Sequence, residues 1–410
     1  MNADTVLIDI TRLIFRLLKG KKATGVDKVG LAYIRHFSAA YGQRARAVLS
    51  WRGRVCVQDA QTSALLFGRL LQDNEAETVD VWFWRRQLLR LAAAFGIDKS
   101  YAGAVLLNTG HKGVESVHYI DALRRMGVKP VYFVHDLIPL THPEYCREGE
   151  EAKHRLRMRH MLQSAAALIA NSDDTKRELL DFAQRHGLPC PPVQTAWLAS
   201  GVSRPLAETA AVPSEISDGL PYFIVVGTVE ARKNHLLLLQ IWREMAESGS
   251  NVPRLVIVGQ RGWECEQTVD LLERCAKIRP FVVELNRASD AQLAALLKNA
   301  RALLFPSFAE GFGMPLVEAL EAGVPVIAAD IPVFREIGQG IPDFASPLDG
   351  RRWLELIKNY ADSDGLLRTQ QLQRLLKYRA WTWDDHFAAV DGFLSEHGLA
   401  QAGISDESAV

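Results

Sequence analysis

The residues with the most evident chemistry lie in one stretch of the second half, between a short apolar run and a helical pattern. This stretch contains two glutamates, Glu310 and Glu318. Between them stand Gly311, Gly313 and Pro315. Glycines let a backbone approach a ligand closely, and the amides that open a helix attract an anion. Carboxylates beside such an anion site suit a ligand with both hydroxyl groups and phosphates. The alternative is that Glu318 is a solvated helix residue and that the glycines serve only the geometry of a turn.

A second candidate is a pair of adjacent cations, Arg232 and Lys233, in the loop after another apolar run, 222–228. In an open parallel sheet the loops that follow the strands share the carboxyl edge, where ligands bind. Two cations at that edge, before a helix whose predicted cap is Asn234, form a clamp suited to a diphosphate. Surface charge is the alternative, and the shared edge with the glutamates argues against it.

The elements that must position these residues alternate between short apolar runs and longer helical patterns, which is typical of a parallel sheet covered by helices. In the second half, strands are predicted at 222–228, 255–259, 281–284, 302–305 and 324–328, and helices at 235–245, 264–275, 289–298 and 315–322. In the first half, strands are predicted at 6–10, 46–50, 104–107, 130–135 and 167–170, and helices at 29–37, 151–164 and 173–184. The predicted fold class is α/β, with two doubly wound, Rossmann-like domains.

Length and composition agree with two ordinary globular domains. The chain has 410 residues, enough for two domains of about 200 residues each. A proline-rich segment at 189–192, followed by 201–213, is predicted to be the crossing between them, with a boundary near 205–220. Lysine plus arginine equals aspartate plus glutamate at 48 each, so the overall charge does not indicate nucleic acid as a partner. Five scattered cysteines without a C-x-x-C pair favour a reducing compartment over a zinc site or a disulfide framework.

Three segments, 227–234, 305–319 and 323–336, resemble family 4 of the retaining glycosyltransferases (glycosyl transferases group 1), which have the GT-B fold. The resemblance covers about 220–360. It implies two domains facing a central cleft, with Arg232 and Lys233 holding the diphosphate of a nucleotide-sugar donor.

The resemblance also implies roles for the glutamate stretch. Glu318 would hold the ribose hydroxyls. Glu310 would hold the transferred sugar as a catalytic residue, together with the backbone of Gly311, Phe312 and Gly313.

The resemblance, the proline-rich crossing and a last segment that has little to bury together divide the chain into four parts. Residues 1–210 would form the acceptor-side domain and 211–376 the nucleotide-sugar-binding domain. Residues 377–400 would form a helix that returns to the first domain, and 401–410 a disordered tail.

In the first domain the resemblance is thinner. Gly25 lies in a segment similar to the family's glycine loop, near the donor phosphate and the acceptor, but Asp27 stands where a small residue is common. An ordinary turn is therefore the alternative for this loop. His135 ends a predicted strand and corresponds to a histidine that contacts the sugar near the reacting carbon. His111 and Asp136 are further acceptor-side candidates, with packing as the alternative for His111.

The segment Arg12–Lys22 interleaves basic and apolar residues. This pattern predicts either peripheral contact with a membrane or an anionic lipid-linked acceptor, or else a helix with a buried face and solvated charges. The sequence shows no basic leader before a long apolar region and no run of about 18 apolar residues. We therefore expect a cytoplasmic protein, with the inner face of the membrane as its one candidate lipid contact.

Taken with the residues, the resemblance predicts a retaining transferase. It would move a hexose from a nucleotide-diphosphate sugar to a saccharide or lipid-linked acceptor in bacterial cell-surface polysaccharide assembly, without a metal cofactor. Two alternatives stay open: a non-catalytic nucleotide-sugar-binding subunit of such an assembly, and a GT-B sugar-nucleotide epimerase. A dinucleotide oxidoreductase is disfavoured because no G-x-G-x-x-G motif follows a predicted strand.

Overall fold

The protein is described from a computed structural model, which covers residues 4–20, 23–75, 80–92, 99–200, 216, 219–249, 251–286 and 288–399. The chain divides into two compact units. Met1–Leu140, Gly149–Leu198 and Trp383–Val410 form the first, and Thr141–Glu148 with Ala199–Thr382 form the second. The sequence had placed the corresponding divisions after residues 210 and 376. The predicted cleft concerns the arrangement of the two units and stays a prediction.

The first unit is built on a sheet of seven described strands. They are β1 (Val6–Asp9), β2 (Ala45–Trp51), β3 (Arg54–Val57), β4 (Val105–Asn108), β5 (Lys129–Val134), β6 (Ala167–Ala170) and β7 (Val193–Thr195). Their order is β3-β2-β1-β4-β5-β6-β7, and every pair is parallel except β2 with β3, which form a hairpin. The central strands are buried along their whole length, as strands covered on both faces must be.

The helices of the first unit cover this sheet. They are α1 (Thr11–Leu18), α2 (Gly25–Tyr41), α3 (Ala60–Glu75), α4 (Val81–Ala92), α5 (Val117–Met126), α6 (Ile138–Thr141), α7 (Glu150–Ser164) and α8 (Asp173–Arg185). Leu106 and Leu168 on the strands share one core with Met158 on α7 and Leu179 on α8. This core fixes the strand ends, and therefore the loops that follow them.

The second unit repeats the pattern with six described strands, all parallel. They are β8 (Tyr222–Val226), β9 (Arg254–Val258), β10 (Val282–Leu285), β11 (Leu303–Phe305), β12 (Val326–Ala329) and β13 (Asp343–Ala345), in the order β10-β9-β8-β11-β12-β13. Its helices are α9 (His235–Glu247), α10 (Glu266–Arg274), α11 (Asp290–Asn299), α12 (Met314–Glu321), α13 (Pro332–Ile337), α14 (Gly350–Ala361) and α15 (Leu366–Leu375). The predicted α/β class with two Rossmann-like domains is confirmed.

Every strand predicted from the sequence is present, with ends that differ by two residues or fewer. The strands that the sequence did not indicate are short or lie at sheet edges: β3, β7 and β13. Pro191 and Pro192, interpreted as part of the domain crossing, lead directly into β7, which pairs with β6. That segment therefore belongs to the first sheet, and all of 201–213 lies outside the described residues.

The last described helix, α16 (Trp383–Glu396), packs in the first unit, where the sequence had placed a returning helix at 377–400. The ring of His386 donates from Nδ1 to the carbonyl oxygen of Trp197 at 2.8 Å and accepts at Nε2 from the hydroxyl of Tyr33 at 3.1 Å. His36 and Asp391 add a side-chain hydrogen bond, with Nε2 of His36 2.8 Å from Oδ2 of Asp391. Residues 401–410, predicted to be a disordered tail, lie outside the described residues.

Within the described part of the chain, no helix is long and apolar enough to cross a membrane. The basic segment predicted to touch lipid folds largely as α1, which buries Leu13 and Ile14. Arg12 and Arg16 on this helix both pair with the buried Asp27, at 2.8 and 2.7 Å. Residues 21 and 22 lie outside the described ranges, so the lipid contact of Arg12–Lys22 stays a prediction.

Candidate functional site

The loops after β8 and β9 pack against each other through their backbones. A Cβ atom on Gly259 would lie 1.9 Å from the carbonyl oxygen of Gly227, so a side chain at residue 259 would displace the neighbouring loop. Gly227 itself has φ +142°, in the region that favours glycine. The loop after β8 then forms a short 3-10 turn, Ala231–Lys233, before α9 begins. This close packing fixes where the two cations of the turn are presented.

The two cations converge on one carboxylate. Arg232 places Nη1 2.8 Å from Oε2 of Glu310, and Lys233 places Nζ 2.5 Å from Oε1 of the same residue. A second carboxylate, Glu230, lies 2.7 Å from Nη2 of Arg232. The side chain of Glu310 is only 9% exposed, and those of Arg232 and Lys233 are 17% and 12% exposed. We call these four residues the charged cluster.

Burial and charge act in opposite directions on the acid of this cluster. Burial alone would raise the pKa of Glu310, but the positive charges of Arg232 and Lys233 outweigh it and lower that pKa to about 2. Burial lowers the pKa of Lys233, and the carboxylate of Glu310 opposes this effect. Glu310 is therefore ionised at neutral pH. It can accept hydrogen bonds from hydroxyl groups, but it has no proton to donate.

The loop after β11 is tied to the loop after β8 by backbone contacts. The amide of Phe308 donates to the carbonyl oxygen of Arg232 at 2.9 Å. Asn234 stands at the start of α9, as predicted, but its φ is +56° and its side chain makes no capping bond. Its Nδ2 donates instead to the carbonyl oxygens of Pro306, at 3.3 Å, and Pro347, at 3.0 Å. Asn234 therefore holds three loops together rather than capping the helix.

The glutamate stretch opens α12 as predicted. Gly313 precedes the helix with φ +114°, and a Cβ atom there would lie 2.7 Å from the ring of Phe334. Phe312 is buried, and Glu318 is 8% exposed rather than solvated. Gly311 lies between Glu310 and the buried Phe312. The structure thus brings these residues together on one loop and the helix that follows it.

The sequence did not single out two further polar residues of this unit. His235 begins α9 and is 1% exposed, and neither ring nitrogen has a hydrogen-bond partner among the described residues. Burial, with the charge of Lys233, lowers its pKa to about 3, so the ring is neutral at physiological pH. Ser307 is fully buried, and its hydroxyl also lacks a partner in the described ranges. From the sequence, only their positions could have indicated these two residues. His235 lies close to Lys233 in the chain, and Ser307 directly precedes Phe308.

In the first unit, His135 directly follows β5 and is 7% exposed. Its Nε2 donates to the carbonyl oxygen of Thr109 at 2.7 Å, and its own carbonyl accepts from Nδ2 of Asn171 at 2.8 Å. Burial lowers its pKa to about 4, against the opposing effect of the Thr109 bond. His135 is therefore neutral at physiological pH and is held by backbone contacts on both sides.

His111 lies beside His135, with ring centroids 5.1 Å apart. It has φ +59°, in a turn that the side chain of Asn108 stabilises by accepting from the His111 amide at 2.9 Å. Burial and the neighbouring His135 hold the pKa of His111 well below its usual value. Its Nε2 bonds the carbonyl oxygen of Phe133. Packing thus accounts for this ring, and acceptor contact stays a prediction.

Asp136 follows His135, and its carboxylate accepts from the amide of Ile138 at 3.1 Å, at the start of α6. A third histidine, His154 on α7, donates from Nε2 to the carbonyl oxygen of Asp136 at 3.1 Å. The sequence did not indicate His154, because α7 and β5 are far apart along the chain. Both acceptor-side candidates therefore lie beside His135: His111 through ring contact and Asp136 as the next residue of the chain.

The glycine loop predicted in the first unit is shorter than expected. Gly25 is the first residue of α2, and Thr24 precedes it as the cap. Oδ2 of Asp27 accepts from the amide and the hydroxyl of Thr24, at 2.7 and 2.6 Å. Because Arg12 and Arg16 also pair with Asp27, the chain's own carboxylate fills the place of an anion at this helix start. This explains why Asp27 departs from the family pattern, and contact between Gly25 and a donor stays a prediction.

In the parts of the chain that the structure describes, no three or more histidine, cysteine, aspartate and glutamate side chains form a group that could hold a metal ion.

Comparison with known protein families gives one match. The family model of glycosyl transferases group 1 matches residues 208–339. This range contains the charged cluster, the glutamate loop and all of α12.

Among curated proteins, the chain is similar to the serotype-specific mannosyltransferase WbdA of Escherichia coli. The two are 34% identical over 243 residues, which cover 56% of this chain and 29% of WbdA. The chain is also similar to the O-antigen chain mannosyltransferase B of Escherichia coli, at 30% identity over 208 residues that cover 50% of this chain and 53% of that protein. It therefore spans less than a third of one relative and about half of the other.

Among solved structures, the chain is similar to Alr3699/HepE of Anabaena in complex with UDP, with a TM-score of 0.61 and 16% identity. The alignment covers 96% of this chain and 100% of that chain. The same protein in complex with UDP-glucose gives a TM-score of 0.62. At this identity, the likeness shows that the fold is shared over nearly the whole chain.

Proposed function

We propose that this chain, which belongs to the glycosyl transferases group 1 family through residues 208–339 and has the GT-B fold, transfers a sugar from a nucleoside-diphosphate sugar to an acceptor. The observation that carries the proposal is the charged cluster. Arg232 and Lys233 lie nearly buried after a parallel strand, and the carboxylate of Glu310 bridges them. Cations and a carboxylate in one place suit a ligand that joins a diphosphate to a hydroxyl-rich sugar.

The chemistry of transfer gives each charge a role. The bond between the anomeric carbon and the diphosphate oxygen breaks, and its electron pair stays on the leaving diphosphate. An acceptor hydroxyl oxygen bonds to the anomeric carbon, and its proton passes to the leaving diphosphate. Arg232 and Lys233 stabilise that growing negative charge, and they act strongly because they are nearly buried and already oriented. The ionised Glu310 accepts hydrogen bonds from sugar hydroxyls, while Glu318 and the backbone of Gly311–Gly313 hold the rest of the donor.

The sugar and the acceptor are proposed from the relatives. Both curated relatives are mannosyltransferases, and one is named for the O-antigen chain. We therefore propose mannose as the hexose, a saccharide or lipid-linked saccharide as the acceptor, and cell-surface polysaccharide assembly as the setting. Retention of the anomeric configuration rests on the motif resemblance, and NMR of the product's anomeric proton tests it.

A thermal-shift screen tests the donor site. GDP-mannose, UDP-glucose, an ADP sugar and a dTDP sugar are compared, because a ligand that binds the native state raises its stability by mass action, by about 2.7 kcal/mol at a hundredfold excess over Kd. One donor should raise the midpoint for the wild type and for the matched surface variant Arg335→Ala, but much less for Arg232→Ala. No shift with any nucleotide sugar would contradict the proposal.

We further propose that transfer needs no divalent metal, because Arg232 and Lys233 supply positive charge for the leaving group. Activity should then survive saturating EDTA. Loss of activity in EDTA, with recovery on adding manganese, would contradict this part of the proposal.

A further inference from the structure

The first unit carries a partly exposed aromatic pair at the ends of neighbouring strands. Trp51 is the last residue of β2, and Phe15 lies in α1, which follows β1. Their rings stack with centroids 5.2 Å apart and planes 17° from parallel. Lys112, in the turn after β4, places Nζ 5.7 Å from the centre of the Phe15 ring, within cation–π range. Because β2, β1 and β4 are adjacent and parallel, this group lies at the edge where open sheets bind ligands.

The base beneath the aromatic pair is built from close contacts. The amide of Ser50 donates to the hydroxyl of Thr11 at 2.9 Å, which joins the end of β2 to the start of α1. A Cβ atom on Gly113 would lie 3.2 Å from Oγ of Ser50. A Cβ atom on Gly110 would lie 2.8 Å from Cβ of Arg12. The turn after β4 therefore packs directly on both other segments, so the three strand ends hold Phe15, Trp51 and Lys112 at fixed positions.

Exposure distinguishes the two rings. Phe15 is half-buried, whereas Trp51 is 48% exposed. Lys112 and Arg52 beside them are exposed cations. An exposed aromatic face with a cationic hydrogen-bond donor close to the ring beneath it suits a pyranose ring, which has an apolar C–H face and a border of hydroxyl groups.

We propose that Phe15, Trp51 and Lys112 form an acceptor platform, on which a sugar ring of the acceptor saccharide stacks against Trp51 while Lys112 donates hydrogen bonds to its oxygens. The proposal rests on the proposed function, since it names where the acceptor is held. The platform is also next to the histidine pair, by which we mean His111 and His135, because Lys112 directly follows His111 in the same turn.

The same surface chemistry could serve a lipid bilayer, and the geometry favours the saccharide. Aromatic side chains that anchor a protein at a membrane lie at the headgroup level in belts around the interface. Trp51 and Phe15 instead stack on each other and form one platform beside a cation. The platform also lies at a carboxyl strand edge. Trp82 on α4 is 78% exposed and follows no strand of the sheet, so it provides the matched control.

Binding of α-mannotriose to the full chain, measured by saturation-transfer NMR and titration, tests the platform directly. Trp51→Ala should weaken binding at least tenfold, Trp51→Phe should restore most of it, and Trp82→Ala should leave it unchanged. Lys112→Ala should weaken it several-fold. Thermal unfolding of each variant checks the fold, and the exposure of Trp51 leads us to expect little change. Equal binding by the wild type and Trp51→Ala, or no binding by the wild type, would overturn the platform.

Two further measurements separate the outcomes. Flotation with phosphatidylglycerol vesicles tests the bilayer: if Trp51→Ala loses vesicle binding and keeps α-mannotriose binding, the surface contacts lipid and the proposal is overturned. The donor thermal shift tests the proposed function separately. A normal donor shift with no effect of Trp51 removes the platform alone, whereas α-mannotriose binding without any donor shift removes the transferase proposal and leaves a carbohydrate site.

Discussion

The polar groups that follow buried strands are paired differently in the two units. In the second unit, Glu310 lies within 2.8 Å of two cations and stays ionised. In the first unit, His111 and His135 bond backbone carbonyls and stay neutral. Both groups are buried, so the difference lies in their partners: a charge inside a protein needs an opposite charge, whereas a neutral ring needs only a hydrogen bond.

This contrast indicates how the two units divide the chemistry. A charged, preorganised site interacts most strongly with a group whose charge changes during the reaction. A neutral site suits hydroxyl-bearing groups, which it can hold without titrating near physiological pH. We therefore expect variants in the second unit to alter donor binding and leaving-group chemistry, and variants at the histidine pair to alter rate with little change in nucleotide affinity.

The largest effect is expected for Glu310→Gln. The amide keeps the shape but removes the carboxylate that bridges Arg232 and Lys233, so transfer should fall on the order of 100-fold. Breaking a buried pair should also lower the free energy of unfolding by about 3 kcal/mol. Affinity for the nucleoside diphosphate alone should be preserved or rise, because the cations lose their internal partner. Calorimetric titration and transfer rates, measured well below the unfolding midpoint, check both parts. A parallel loss of nucleotide affinity would place Glu310 in the nucleotide site.

The next effect is expected for Arg232→Ala and Lys233→Ala. Each removes a charge-assisted contact to the diphosphate, which should weaken donor binding by about 1.5–3 kcal/mol, or roughly 10- to 100-fold. Arg335→Ala is the matched control, since Arg335 forms an exposed pair with Asp330 and is 59% exposed. Donor affinity measured by calorimetry should separate the first two variants from the third. Three equal affinities would remove the diphosphate site.

The charged cluster illustrates what the sequence could predict. Arg232, Lys233 and Glu310 each follow an apolar run, and short apolar runs separated by helical patterns are a local signal. Their common sheet edge followed from the rule for parallel strands. The direct pairing of Glu310 with both cations did not follow, because side-chain geometry joins it to Lys233, 77 positions away, and to the residue before Lys233.

Three other features of the structure could not be predicted from the sequence, because they depend on tertiary contacts or on very short strands. The role of Asn234 changed from a cap to a bridge between loops, because tertiary contacts offered its amide two carbonyl oxygens. The buried carboxylate of Asp27 at the start of α2 is stabilised by ion pairs with two arginines of a different helix, α1. The strands β3 and β7 are edge strands of four and three residues, too short for an alternation pattern to stand out.

A smaller effect is expected at the histidine pair. His135→Asn removes the ring beside His111 but keeps a side-chain donor for the Thr109 carbonyl, so transfer should fall about tenfold. Nucleotide affinity should not change. The matched control is His160→Asn, because His160 also bonds a backbone carbonyl, that of Val114 at 2.7 Å, but does not follow a strand. Steady-state transfer rates of both variants are measured at saturating donor. An equal loss of rate in the two variants would make His135 a structural residue.

The smallest effect concerns the loss of folding stability in acid. His135 in the first unit and Glu310 in the second unit contribute to this loss at different pH values. The pKa of His135 is lowered to about 4 in the folded protein, chiefly by burial, whereas an ordinary histidine titrates near 6.5. Between these values the unfolded chain binds more protons, so this residue makes stability fall as the pH drops through 6.5 toward 4. Glu310 acts elsewhere: its pKa is lowered to about 2, so its stabilising effect is complete above 4.5 and is lost only as the pH falls toward 2.

Denaturant unfolding at pH 7.5 and 5.5 therefore reports groups that titrate in or near this window, and Glu310 is not among them. Besides the histidines, these groups include Asp9 and Glu178, whose pKa values burial raises to about 6 and 7, and both remain in the two proteins compared. His135→Asn should lose less stability between these two pH values than the wild type, by about 1 kcal/mol. His235 and His386, whose pKa values burial lowers to about 3 and 4, remain in both proteins, so their contributions cancel in the difference. An identical loss in the two proteins would show that His135 is protonated in the folded state at pH 5.5. The neutral site inferred for the first unit would then be wrong, and the contrast with the charged cluster would disappear.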